Sequence, residues 1–186
     1  QDAGLQARRM DPAPEASDYA KIGVTGLGGN GQPTVEALNT ALAEPEVQGA
    51  QVPTAAAVQS LINAYAAITG AAGGTADNAA NPSQDQYAAI GVNGVDTAQE
   101  ESLLGDVIDA KGADDVNTVT KVQDLANAVQ AVMDGTATQS QLESLGITGV
   151  NPDNLQAVQN ALVAADDATE LNTLNGVQAV VGTALS

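Results

Sequence analysis

Gln139-Ser140-Gln141-Leu142-Glu143-Ser144-Leu145-Gly146-Ile147-Thr148-Gly149-Val150-Asn151-Pro152-Asp153 is the stretch that decides the fold. Leu142 and Leu145 share one helical face, so Gln139 to Leu145 predicts a short helix. Gly146 stands where a helix C-terminus calls for a left-handed residue. Ile147 to Val150 reads as a turn. Asn151 is the expected N-cap of a second helix, with Pro152 at its first position. Leu155, Val158 and Leu162 supply the apolar stripe of that helix, and Asp166-Asp167 breaks it. Thr169 or Thr173 is placed to cap a third helix, where Leu171, Leu174, Val177, Val180 and Val181 face inward.

The same order occurs twice more. Ile22-Gly23-Val24-Thr25-Gly26-Leu27 and Ile90-Gly91-Val92-Asn93-Gly94-Val95 match Leu145-Gly146-Ile147-Thr148-Gly149-Val150, at offsets of 68 and 55 residues. Tyr19, Tyr87 and Leu142 follow the same offsets, one helical turn earlier. A second block recurs as Val58-Gln59-Ser60-Leu61, Val122-Gln123-Asp124-Leu125 and Val177-Gln178-Ala179-Val180. Two blocks in one order at three places signal an internal repeat. Thr34 and Thr54 open helices in the first copy. Leu103, Leu104, Val107 and Ile108 mark the second helix of the middle copy, and Val119, Val122, Leu125, Val129 and Val132 its third. Nothing alternates with period two for long enough to form a sheet strand, so the fold class is all-α, as tandem three-helix units without a sheet.

The boundaries follow. Residues 1–16 are an extended arm containing Arg8, Arg9, Pro12 and Pro14, with no periodic apolar face. Residues 17–69, 83–137 and 138–186 are the three helical repeats. Residues 70–82, rich in Gly, Ala and Asn, are a linker. Units of about 50 residues are small for independent stability, so packing between neighbours is expected.

Composition narrows the function. Among 186 residues there is no Cys, no His, no Trp and no Phe, and only three Tyr. Thiol nucleophiles, histidine bases and the common zinc and haem ligand sets are thereby absent. The net charge of −18, from 23 acidic against 5 basic residues, opposes binding to nucleic acid and anionic membranes. No apolar run of membrane-spanning length occurs, so no membrane insertion is expected. Gln1 to Leu5 is not followed by the apolar core of a signal peptide. The acidic, lysine-poor, Asn/Gln/Thr/Gly-rich composition fits a secreted bacterial surface protein and is also tolerable in a cytosolic one.

Few constellations could carry chemistry. Gly26, Gly28 and Gly31 form a literal G-x-G-x-x-G, but a helix end rather than a strand precedes it, which reads as a loop insertion. Glu100-Glu101, Asp114-Asp115 and Asp166-Asp167 sit at helix starts or turns, where carboxylates cap amides. Oxygen ligands cluster at Asp114-Asp115-Val116-Asn117 and at Asn151-Pro152-Asp153-Asn154. Calcium is the one ion they could suit, although neither matches the twelve-residue loop of an EF-hand. Tyr19, Tyr65 and Tyr87 lie on apolar stripes and are expected in the core. No catalytic residue, metal ligand or cofactor site is assigned, and the chain is expected not to be an enzyme.

Leu145 to Val150, Asn154-Leu155-Gln156-Ala157-Val158-Gln159-Asn160-Ala161-Leu162 and Leu174-Asn175-Gly176-Val177-Gln178-Ala179-Val180-Val181 together resemble the helical repeats of very large bacterial cell-surface and adhesin-like proteins. Those repeats are similar in turn to the three-helix modules of albumin-binding surface proteins. The resemblance spans Ser17 to Ser186 and is closest in the third copy. It implies an extracellular, non-enzymatic building block of a stalk, fibre or layer. The expected partners are identical subunits or neighbouring repeats, with Arg8 and Arg9 docking on the acidic surface of the next subunit. The alternative is a three-helix binding module for a host or surface protein.

Overall fold

The computed structural model describes residues 13–45, 47, 54–73 and 80–186. Among them are nine α-helices and no strand: α1 (Ala16–Lys21), α2 (Val35–Ala43), α3 (Ala55–Ala71), α4 (Gln84–Ala89), α5 (Ala98–Asp109), α6 (Val119–Met133), α7 (Gln139–Ser144), α8 (Leu155–Ala164) and α9 (Leu174–Ala184). A 3₁₀ turn, Ala113–Asp115, joins α5 to α6. The described structure is all-helical.

Most helices start on a hydroxyl cap. The side-chain oxygens of Thr34, Thr54, Ser83, Thr97, Thr118, Thr138 and Thr173 each accept the backbone N–H three residues on. Such a cap is worth about 1 kcal/mol over alanine. The six-residue helices α1, α4 and α7 are too short to persist alone. Reciprocal capping boxes tie Ser83 to Gln86 and Thr138 to Gln141. In α1, Asp18 Oδ2 accepts the Glu15 N–H at 3.0 Å. Pro14, Pro82 and Ala137 before the caps are buried, as are Tyr19, Tyr87 and Leu142 in the first turn beyond. These are the two positions of a hydrophobic staple.

The same three helices end alike. Gly23, Gly91 and Gly146 have φ of 82°, 88° and 89°. Their N–H groups donate to Ala20, Ala88 and Glu143, while Val24, Val92 and Ile147 donate back to Tyr19, Tyr87 and Leu142. This double closure is a Schellman motif, and it needs the left-handed residue that glycine supplies without strain. α6 ends in the same way at Gly135 and Thr136.

One continuous core of Ala, Val, Leu and Ile with the three tyrosines runs through the described residues. α2 packs on α3, α5 on α6 and α8 on α9. Between these pairs, α3 meets α4 and α5, α6 meets α7 and α8, α2 reaches α6, and α5 reaches α9. Polar bonds reinforce the longer-range contacts. Tyr65 Oη donates to the Val116 carbonyl at 2.7 Å. Thr40 Oγ1 accepts the Val119 N–H at 3.2 Å, and Asp106 Oδ2 accepts the Leu174 N–H at 2.5 Å. Ser102 Oγ donates to the Asn172 carbonyl at 2.8 Å.

Several local expectations shift. α3 continues through Gly70 to Ala71, inside the stretch expected to be linker, because Ile68 and Ala71 are buried on its inner face. Of that stretch, residues 74–79 lie outside the described residues, and Pro82 is buried. The expected arm ends in structure: Pro14 is buried and Ala16 begins α1. Asn151 caps a turn rather than α8 itself. Its Oδ1 accepts from Asp153 and Asn154, and its carbonyl accepts from Leu155, so α8 starts one turn later. Thr173, not Thr169, caps α9. Leu171 is buried but precedes that helix, and Val180 is only half-buried.

Candidate functional site

The two repeated sequence blocks meet in space. Gln59 on α3 spans the backbone of Thr25: its Oε1 accepts the Thr25 N–H at 2.9 Å and its Nε2 donates to the Thr25 carbonyl at 3.0 Å. Gln123 on α6 does the same to Asn93, at 2.8 and 2.9 Å. Gln178 on α9 does it to Thr148, at 2.9 and 3.1 Å. A primary amide offers the same paired donor and acceptor as a peptide edge, so one side chain satisfies a whole loop residue. Each clamped residue lies between two glycines at positive φ, such as Gly91 and Gly94. The clamps thus pin the turns after the short helices α1, α4 and α7 to the longer helices α3, α6 and α9. Gln59 and Gln123 also donate to Asn63 and Asn127 one turn on, at 3.2 and 2.9 Å. Gly182 occupies that place after Gln178.

Beside the central clamp lies an open groove of about 400 Å³, lined by Glu44, Pro45, Gly91, Asn93, Val119, Thr120, Gln123, Asp124 and Asn127. Its lining offers amides, a hydroxyl and two carboxylates, and neither a nucleophile with an adjacent base nor a cation. Glu44 closes over Gly91 so tightly that a Cβ there would lie 2.8 Å from the Glu44 Cβ.

The acidic pairs serve the backbone. Glu100 Oε2 accepts from the Asp96 and Thr97 N–H groups, each at 2.9 Å, and Glu101 from the Gln84 N–H at 3.3 Å. Asp115 Oδ2 accepts from Gly112, while Asp166 Oδ1 accepts from Ala168 and Thr169. At the first oxygen cluster considered for calcium, the Lys121 ammonium bonds the Asp114 carbonyl and Asn117 Oδ1, both at 2.8 Å. At the second, Asn151 and Asn154 cap each other's turn. Among the described residues no group of three or more Asp or Glu is disposed to hold a metal. The G-x-G-x-x-G stretch lies in the loop from α1 to α2, where Gly28 donates to the Pro33 carbonyl at 2.8 Å.

The three tyrosines are buried, as their stripes imply. Burial pushes the Tyr19 phenol up to about 12, with the Asp18 charge adding to it. Burial also raises Tyr65 and Tyr87, assisted by Glu36 and Glu101 respectively. Tyr19 Oη donates to Asn39 Oδ1, whereas Tyr87 Oη finds no partner among the described residues. Asp109 Oδ1 is likewise buried without one. Arg8 and Arg9, expected to make an assembly contact, lie outside the described residues. Sequence reasoning did not anticipate the glutamine clamps or the Thr40 and Asp106 bonds. For the clamps a signal existed, since the glutamine is constant across all three copies of its block. No family model matches this chain, and no curated protein or solved structure shows significant similarity to it.

Proposed function

We propose that the chain is a non-enzymatic structural protein of the bacterial surface. In this reading it is a stalk or fibre segment made of three tandem three-helix units: residues 17–69, 83–137 and 138–186. Each unit comprises a short helix, a second helix and a longer third helix: α1–α3, α4–α6 and α7–α9.

One observation carries the reading: the two junctions use the same parts. The third helix of one unit meets the first and second helices of the next, as α3 does α4 and α5, and α6 does α7 and α8. The second helix meets the next unit's third, as α2 does α6 and α5 does α9. At both places a side chain of the second helix takes the first free N–H of that third helix: Thr40 from Val119 and Asp106 from Leu174. Units joined through a recurring contact suit load-bearing and spacing, because each junction adds buried area in series. Extracellular placement rests on the composition and on the resemblance to surface-protein repeats. In assembly, the arm with Arg8 and Arg9 supplies the contact to a neighbouring chain's acidic surface.

The junctions are tested by Thr40→Val with Asp106→Ala. Separate unfolding of the units in urea is expected in place of a single transition. An unaltered single transition with unchanged midpoint would sink the stacking reading. Assembly is tested by light scattering over a concentration series before and after deletion of residues 1–16. Species heavier than 18.5 kDa are expected only with the arm present. Binding module and stalk part on the same samples: a strict monomer that captures one partner protein would favour the former.

A further inference from the structure

The tandem reading makes a register comparison possible. Between the second and third units every matched position is 55 residues apart: Asp106 with Ala161, Ile108 with Val163, Val119 with Leu174. Between the first and second units the second helices match at 66, which aligns the buried set Ala37, Leu38, Ala41 and Leu42 with Leu103, Leu104, Val107 and Ile108. The same 66 brings Thr40 onto Asp106, the two residues that bond the following unit.

The third unit carries the junction face in altered form. The acceptor, Thr40 and then Asp106, becomes Ala161, which has no side-chain acceptor. Leu38 and Leu104, both buried, become Gln159, whose Nε2 turns back to the carbonyl of Ala137, the last residue of the second unit, at 3.0 Å. Tyr65, which bonds the second unit directly, and the buried Val129 become Ala184. One position keeps its apolar character. Leu42 is 2% exposed and Ile108 0%, while Val163 is 67% exposed.

We infer that the outward face of α8 and α9 is a closed version of the internal junction: it does not take a further three-helix unit in the register that joins the other units. The inference rests on the tandem reading. A unit placed there would find its first helical N–H without an acceptor, a polar amide where a leucine packs, and a gap where an aromatic or valine fills. A buried unpaired donor and a lost large apolar contact each weigh strongly against association. In array proteins a more polar face of this kind closes a stack to further units. Self-association of this chain therefore proceeds through other surfaces, and Val163 alone does not extend the stack.

The test adds a unit whose docking side is already competent. A second copy of residues 132–186 is joined after Ser186, which keeps the 55-residue register along the extended helix. One version keeps the native face. The other carries Gln159→Leu, Ala161→Asp and Ala184→Val in the original copy. Urea unfolding is followed by far-ultraviolet circular dichroism. With the native face, the added unit is expected to unfold in a separate, earlier transition or to be unfolded at the outset. With the restored face, it is expected to join the main transition, with a steeper urea dependence in proportion to the added length. If the native face holds the unit as firmly as the restored one, the closure inference is overturned and the stacking reading stands. If neither face holds it, the junction residues do not suffice, and the inference and the stacking reading fall together.

Discussion

Replacing Tyr87 by Phe is expected to stabilise this protein, although the same change at Tyr65 or Tyr19 destabilises it. All three phenols are buried. Tyr65 Oη donates to the Val116 carbonyl at 2.7 Å, and Val116 itself is fully buried, so Tyr65→Phe leaves a carbonyl unsatisfied. That costs about 1–3 kcal/mol. Tyr19→Phe frees Asn39 Oδ1, while the Asn39 amide keeps its 3.1 Å bond to Pro14, so about 1 kcal/mol is lost. At Tyr87 the hydroxyl has no partner among the described residues. The cause is visible locally: Asn39 stands over Tyr19, whereas 66 residues on there is Gly105, and the Asn81 side chain fills the space beside it. Removing an unpaired buried hydroxyl recovers about 1 kcal/mol after allowance for the small void. For a chain of this size that is a rise in Tm of roughly 2–4 °C. Urea melts of the three variants, compared at constant urea dependence, read the signs directly. A Tyr87→Phe variant less stable than the parent by 0.5 kcal/mol or more (roughly the resolution of such cycles) would refute the reasoning.

Four further outcomes are expected. Gln123→Ala removes both clamp bonds to Asn93 and should cost about 1–2 kcal/mol, with faster amide exchange at Asn93. Asp109→Ala should stabilise, since it removes a buried carboxylate oxygen that has no partner among the described residues; thermal melts check it. Gly146→Ala should destabilise by about 1–2 kcal/mol through φ alone, because at 89° nothing within 4 Å would obstruct the added Cβ. Stability should fall as pH rises past the ordinary tyrosine range, about 10. The unfolded chain ionises its tyrosines near 10 while folded Tyr19 holds its proton to about 12, so the folded state binds more protons in that window. The slope approaches about 1.4 kcal/mol per pH unit for each tyrosine so affected, and titrations of the urea midpoint from pH 8 to 12 measure it.

Much of the local structure is legible in the sequence. Gly146 and its two counterparts announce helix ends, and Thr34, Thr54 and Thr173 announce starts, because these devices act within four or five residues. The glutamine clamps were visible only as a constant residue without a partner, since each bond joins positions 30 to 34 residues apart. Thr40 and Asp106 gave no signal at all. They differ in type, share only an acceptor oxygen, and meet amides 79 and 68 residues away. Gly70 signals a break by composition alone, but two buried side chains, Ile68 and Ala71, carry the helix past it. The Glu100, Asp115 and Asp166 carboxylates and the Asn151 turn spend their oxygens on neighbouring amides.

The glutamine clamps have a consequence for how this chain meets its medium. Their partners are amides and backbone groups, none of which ionises between mild acid and mild alkali, and the caps are mostly hydroxyls. Among the described residues only one ion pair occurs, Lys21 with Asp18, both well exposed, and such pairs contribute little. The clamps and hydroxyl caps are thus largely indifferent to salt, whereas the carboxylates of Glu100, Asp106 and Asp166, which accept backbone N–H groups, lose that role in acid. The surplus of eighteen negative charges is not indifferent, because salt screens it within about 10 Å at 0.1 M. Changing the ionic strength therefore retunes how strongly these molecules repel one another, while the clamped turns inside keep their bonds.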